Sequence, residues 1–159
     1  MYQVGDKVVH PMHGAGVIDS IVQRKVAGKL ENYYLLKLSV GSMTVMIPTE
    51  NTQEIGVRPV VSGQEAESLL NAMEGIEVDM TQNWNRRYRE NMVRLKSGDL
   101  LEVARVVKGL LIREDQRGLS NGERKMLHTA KQILISELVL AQSLPYKTVE
   151  ENIDTVLSH

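Results

Sequence analysis

Along roughly the first 58 residues, apolar positions come in short runs divided by glycine-containing turns. KVVH is followed by GAGVIDSIVQRKV, then by ENYYLLKLSV and MTVMIP, with AGK and GS between the later runs. Runs rich in β-branched and aromatic residues with turns this tight predict antiparallel strands. In the third run Tyr34, Leu36 and Leu38 alternate with Tyr33, Leu35 and Lys37, so one face is wholly apolar and the other ends in a charge. Gly14 and Gly16 bracket Ala15 where the backbone is expected to bend, Gly28 fits a hairpin turn, and Pro48 suits a strand end because it donates no ladder bond. Together these features predict a small antiparallel β-barrel or strongly bent sheet.

From Ser62 onward the apolar period lengthens to that of a helix. Ser62 with Glu65, Ser120 with Glu123, and Thr148 with Glu151 have the spacing of a capping box, in which hydroxyl and carboxylate each satisfy a free backbone N–H. Ser97 is expected to cap another helix with Asp99 in its first turn, and Gly75 and Gly118 to follow helix ends. These signals predict helices near 63–74, 83–96, 98–117, 121–143 and 148–157. The expected fold class is α+β in two domains, a barrel over residues 1–58 and a compact bundle of about five helices over 62–159, divided near Pro59.

Composition narrows the chemistry. The 159-residue chain has no cysteine, which fits a reducing compartment and excludes disulfides, thiolate zinc sites and cysteine nucleophiles. No apolar run approaches the length of a membrane span, and MYQVGDKVVH lacks the apolar stretch of a signal peptide, so a cytoplasmic protein is expected. The net charge of -1 conceals an uneven distribution. Residues 83–125 hold 11 Lys/Arg against 6 Asp/Glu, whereas 1–82 hold 6 against 10 and 126–159 hold 2 against 4. A basic middle between acidic ends is what a phosphate-binding surface needs, although helix surfaces also carry uneven charge by chance.

Within that middle lies NWNRRYREN, with the only tryptophan of a chain that has no phenylalanine. On a helix capped by Asn83, Trp84, Tyr88, Met92 and Leu95 form one stripe, with Arg86, Arg87, Arg89 and Arg94 around the rest. Spacing alone favours Trp84 as a core anchor. Its place in the first turn, ringed by arginines beside free N–H groups, equally describes a wedge with its own phosphate clamps.

VGDKVVHPMHGAG, TVMIPTEN, NWNRRYREN, LKSGDLLEVARVVKGL and RGLSNGERKMLHTAKQILISELVLA resemble, in order, segments of the CarD family (also called CdnL) of bacterial transcription regulators. The resemblance runs through nearly the whole chain. It implies a Tudor-like N-terminal barrel that docks on the β subunit of RNA polymerase, similar to the polymerase-binding module of the transcription-repair coupling factor. It also implies a helical domain that touches promoter DNA near the -10 region, at the upstream edge of the melted bubble, with little sequence specificity. Carried over by position, the wedge is Trp84, the DNA-backbone contacts are Arg86 and Arg89 with Arg87 beside them, and Arg24 is a polymerase-side contact. Some relatives carry arginine where this chain has Met46, so docking is expected to lean on Thr44, Met46 and strand-edge pairing.

His10 and His13 have the spacing of metal ligands without a third, and are assigned a structural role. No P-loop, dinucleotide fingerprint or serine elbow is present, so neither an enzyme nor a cofactor is expected. Arg124 and Lys125 are possible extensions of a DNA surface. A monomer is the expected state. The competing function is a polymerase adaptor that makes no direct DNA contact and keeps Trp84 buried.

Overall fold

The computed structural model describes residues 1–158; His159, the end of the expected helical span, lies outside them. Strands β1 (Lys7–His10), β2 (Gly14–Val26), β3 (Lys29–Leu38) and β4 (Thr44–Pro48) are followed by a one-turn helix α1 (Thr52–Ile55) and a two-residue strand β5 (Arg58–Pro59). Five longer helices follow: α2 (Gly63–Met73), α3 (Trp84–Lys96), α4 (Leu100–Arg117), α5 (Asn121–Gln142) and α6 (Tyr146–Leu157). The arrangement is α+β, a β module and then a helical one.

The strands form one antiparallel sheet in the order β4-β3-β2-β1-β5, and it is open rather than closed into the expected barrel. β4 and β5 are the two edges of the sheet, and β5 has only two residues, of which Pro59 cannot donate across a ladder. Alternation along β3 sends Tyr34, Leu36 and Leu38 into a core with Val8, Ile18, Ile47 and Val57. The irregularity in the β2–β3 register falls between Ile18 and Ser20, not at Gly14–Gly16. Those glycines serve close packing instead. A Cβ on Gly14, whose φ is +101°, would come within 2.5 Å of Ser136 Oγ, and one on Gly16 would strike the Lys37 carbonyl.

The helices enclose a second, larger core centred on α4 and α5, including Val103, Val107, Leu110, Leu134, Ile135 and Leu138. Ser62 and Glu65 form the full capping box that their spacing predicts, and Gly75 follows α2 in a left-handed conformation. Two predicted starts are corrected. α4 is capped by Asp99, whose Oδ1 accepts from Leu101 N at 2.9 Å, while Ser97 Oγ donates to Arg94 O and closes α3. Gly98, at φ +78°, separates those two turns and prevents Ser97 from leading into α4. α6 begins at Tyr146 behind Pro145, so Thr148 lies inside its first turn and caps nothing.

A polar seam joins the two modules along the middle of α5. Ala15 N donates to Ser136 Oγ and Ser39 Oγ donates to Ser136 O, each at 2.8 Å. Arg58 grips both oxygens of Glu137, at 2.7 and 2.6 Å, and its Nε donates to Gly98 O. Val61 N completes the Glu137 carboxylate at 3.0 Å. Hydrogen bonds to a buried carboxylate are short-range and directional, so this seam fixes the sheet relative to the helices.

Candidate functional site

At the N-terminus of α3, Asn83 Oδ1 accepts from Arg86 N at 3.0 Å, the cap that the sequence predicts. The stripe that follows is graded. Leu95 is fully buried, Met92 and Tyr88 are partly covered, and Trp84 at the open end is 42% exposed. Its ring stacks on Tyr88 with centroids 5.2 Å apart and planes 17° from parallel. Its Nε1 donates to Ser120 Oγ at 3.1 Å. Trp84 is therefore neither a core anchor nor a free wedge, but a half-exposed ring held along one edge.

The arginines divide into two kinds. Arg86 is 69% exposed and makes only an i,i+4 pair with Glu90 at 3.1 Å, which solvent screens heavily. Arg89 is exposed and lines, with Trp84, Asn85 and Tyr88, a shallow hollow of about 380 Å³. Arg87 is 1% exposed, and this removes it from the predicted DNA contacts. On the helical wheel it lies about 60° from Trp84, within the buried face rather than behind it. Its Nε donates to Glu123 Oε2 at 2.8 Å and its Nη2 to Oε1 at 3.3 Å, while its Nη1 reaches the carbonyls of Thr81 and Gln82.

Glu123, in the first turn of α5, was expected to complete a capping box with Ser120. Its backbone N donates to Ser120 Oγ as that reading requires, but its carboxylate turns to Arg87. Burial by itself would raise the Glu123 carboxyl. The hydrogen bonds and charge of Arg87, with help from Arg113 and Ser120, outweigh burial and hold it below the ordinary value. Arg113 Nε lies 3.8 Å from the same carboxylate, an ion pair without a hydrogen bond. Arg124 and Lys125 extend the exposed positive charge along α5, and Lys125 shares a small cleft with Tyr88 and Gly122.

The other predicted contacts lie on the sheet. Thr44 and Met46 are exposed on β4, an edge strand, opposite Lys37 and Leu35. Arg24 is exposed on β2 opposite Glu31. By strand alternation all three share the outer face of the sheet, with the partly covered Val22, Tyr33 and Leu35 between them. Met46 thus adds an apolar surface to a face that carries the positive charges of Arg24 and Lys37. His10 and His13 pack against each other at the β1–β2 turn, with ring centroids 4.6 Å apart and planes tilted by 50°. Burial, reinforced by the neighbouring His13, lowers His10 to about 4. His10 Nδ1 accepts from Met12 N at 3.1 Å, which fits a neutral ring organising the turn.

No helix among the described residues is long and apolar enough to cross a membrane. Ser120, Glu123 and Arg113 are parts of the site that sequence reasoning missed. The Ser120–Glu123 spacing marks a helix start, but nothing local shows that this start lies under Trp84.

Comparison with known proteins covers both modules. The model for the CarD-like/TRCF RID domain matches residues 2–61, and the model for the CarD C-terminal domain matches residues 68–154. A Bacillus subtilis (strain 168) protein named "Putative transcription factor YdeB" is 34% identical over 150 residues, spanning 94% of this chain and 98% of that protein. With two family models in order and a relative aligned almost end to end, the chain belongs to the CarD family.

Proposed function

We propose that this chain is a transcription regulator that docks on the β subunit of RNA polymerase through the outer face and β4 edge of its sheet, and stabilises the open promoter complex through Trp84. Exposure of Trp84 at a helix N-terminus between the solvent-facing Arg86 and Arg89 carries the reading. The ring offers a stacking face at the upstream edge of melted DNA, where the cost of unstacking has already been met. The two guanidinium groups and the free N–H groups of α3 suit the flanking phosphates. A contact made only in the open state shifts the melting equilibrium, and about 1.4 kcal/mol changes it tenfold.

Docking explains how a chain of net charge -1 acts on DNA, because polymerase binding raises the local DNA concentration around a weakly basic surface. Arg24, Thr44 and Met46 are the residues assigned to that contact, helped by the free backbone groups of edge strand β4. The second reading is a polymerase adaptor without DNA contact. It is favoured by the indole N–H being satisfied within the protein by Ser120.

The two readings part on salt. Affinity of the polymerase-bound protein for a forked promoter fragment, measured across a salt series, is expected to lose about one unit of log–log slope in Arg86→Ala. Equal slopes for Arg86→Ala and wild type favour the adaptor.

A further inference from the structure

Trp84 is held by a neighbouring helix as much as by its own. The indole N–H reaches Ser120 Oγ at 3.1 Å. A Cβ on Gly122 would stand 3.6 Å from Trp84 Cζ2 and 3.8 Å from Tyr88 Cε2, so the stacked pair lies over the bare backbone of the first turn of α5. The Ser120 hydroxyl has one proton and two acceptor sites, and all three are used. It accepts from Trp84 Nε1 and from Glu123 N at 3.2 Å, and its proton points to Glu123 Oε1 at 3.4 Å. Glu123 is fixed in turn by Arg87, whose Nη1 also clasps the Thr81 and Gln82 carbonyls of the chain leading into α3.

We propose that the first turn of α5 is a socket that sets the orientation of Trp84, with Ser120 fixing the indole and the buried Arg87–Glu123 pair fixing Ser120. Its functional consequence rests on the reading of Trp84 as the ring that faces DNA. Ser120 and Arg87 then act as positioning residues. They settle the rotamer of the ring before DNA arrives, so less ordering remains to be done on binding. The exposed face of Trp84 is left free because the socket grips its N–H edge and the opposite face rests on Tyr88.

Because Trp84 is the only tryptophan, its optical signals report on the socket without DNA or polymerase. Ser120→Gly removes the hydroxyl while capping α5 almost as well as serine does, which separates the socket role from the capping role. The expected result is a weaker near-ultraviolet circular dichroism from the indole and easier quenching by acrylamide, with the far-ultraviolet spectrum unchanged. Ser120→Thr is expected to restore both signals. Arg87→Lys keeps the charge but loses the two-pronged grip, and is expected to repeat the loss. Wild-type dichroism and quenching in Ser120→Gly would overturn the proposal, whatever Arg87→Lys does.

The same Ser120→Gly protein is expected to shorten the gain in open-complex lifetime by about three- to tenfold, the cost of immobilising one side chain. Changed optical signals with an unchanged lifetime would leave the socket standing and count against Trp84 as the DNA-facing ring.

Discussion

Glu123 and Glu137 are both buried on α5, 14 residues or about four turns apart, and each is gripped by an arginine from elsewhere in the chain. Their surroundings differ. Arg58, the partner of Glu137, is 28% exposed and ties the last strand of the sheet to α5 and to the turn after α3. Arg87, the partner of Glu123, is sealed from water and supports a single exposed ring through Ser120. One pair is a joint between modules and the other a foundation for a site. The same two residue types serve both purposes, and what distinguishes them is what lies one hydrogen bond further out.

Breaking the sealed pair has the larger expected effect. Arg87→Ala leaves a buried carboxylate without its main partner, and denaturant unfolding is expected to show a loss of about 3–5 kcal/mol. A loss below about 1 kcal/mol would mean that water reaches Glu123. Arg58→Ala is expected to cost less, about 1–3 kcal/mol, because solvent already reaches that guanidinium and Val61 N remains bonded to Glu137. The comparison sharpens in the spectra. Arg58→Ala is expected to shift amide resonances around Gly98 and Val61 while leaving Trp84 emission at the wild-type wavelength, whereas Arg87→Ala moves the emission to the red.

The α+β class and the five longer helices were legible because local signals agree. The Ser62–Glu65 capping box, the left-handed Gly75 and the alternation of β3 point the same way in sequence and in structure. The open sheet was not legible, because closure depends on pairing between the two edge strands β4 and β5, and no local pattern in the sequence specifies such a long-range pairing. Arg87 shows the same limit at the site. Its position in a run of arginines reads as solvated, and only the arrival of Glu123 from α5 turns it into a core residue. The cap at Asp99 was missed by two residues because Gly98 interrupts the chain between two nearly equivalent polar groups. Helix wheels therefore found the stripe of Trp84, Tyr88, Met92 and Leu95, but not how far solvent enters along it.

The central claim is that Trp84 stabilises open promoter DNA, and the most direct test is the lifetime of a competitor-challenged open complex formed by the cognate RNA polymerase holoenzyme. It is measured without this protein, with wild type, and with Trp84→Ala. Wild type is expected to lengthen the lifetime, and Trp84→Ala to lose most of that gain while binding polymerase as well as wild type does. Equal lifetimes for wild type and Trp84→Ala at equal polymerase occupancy would contradict the account.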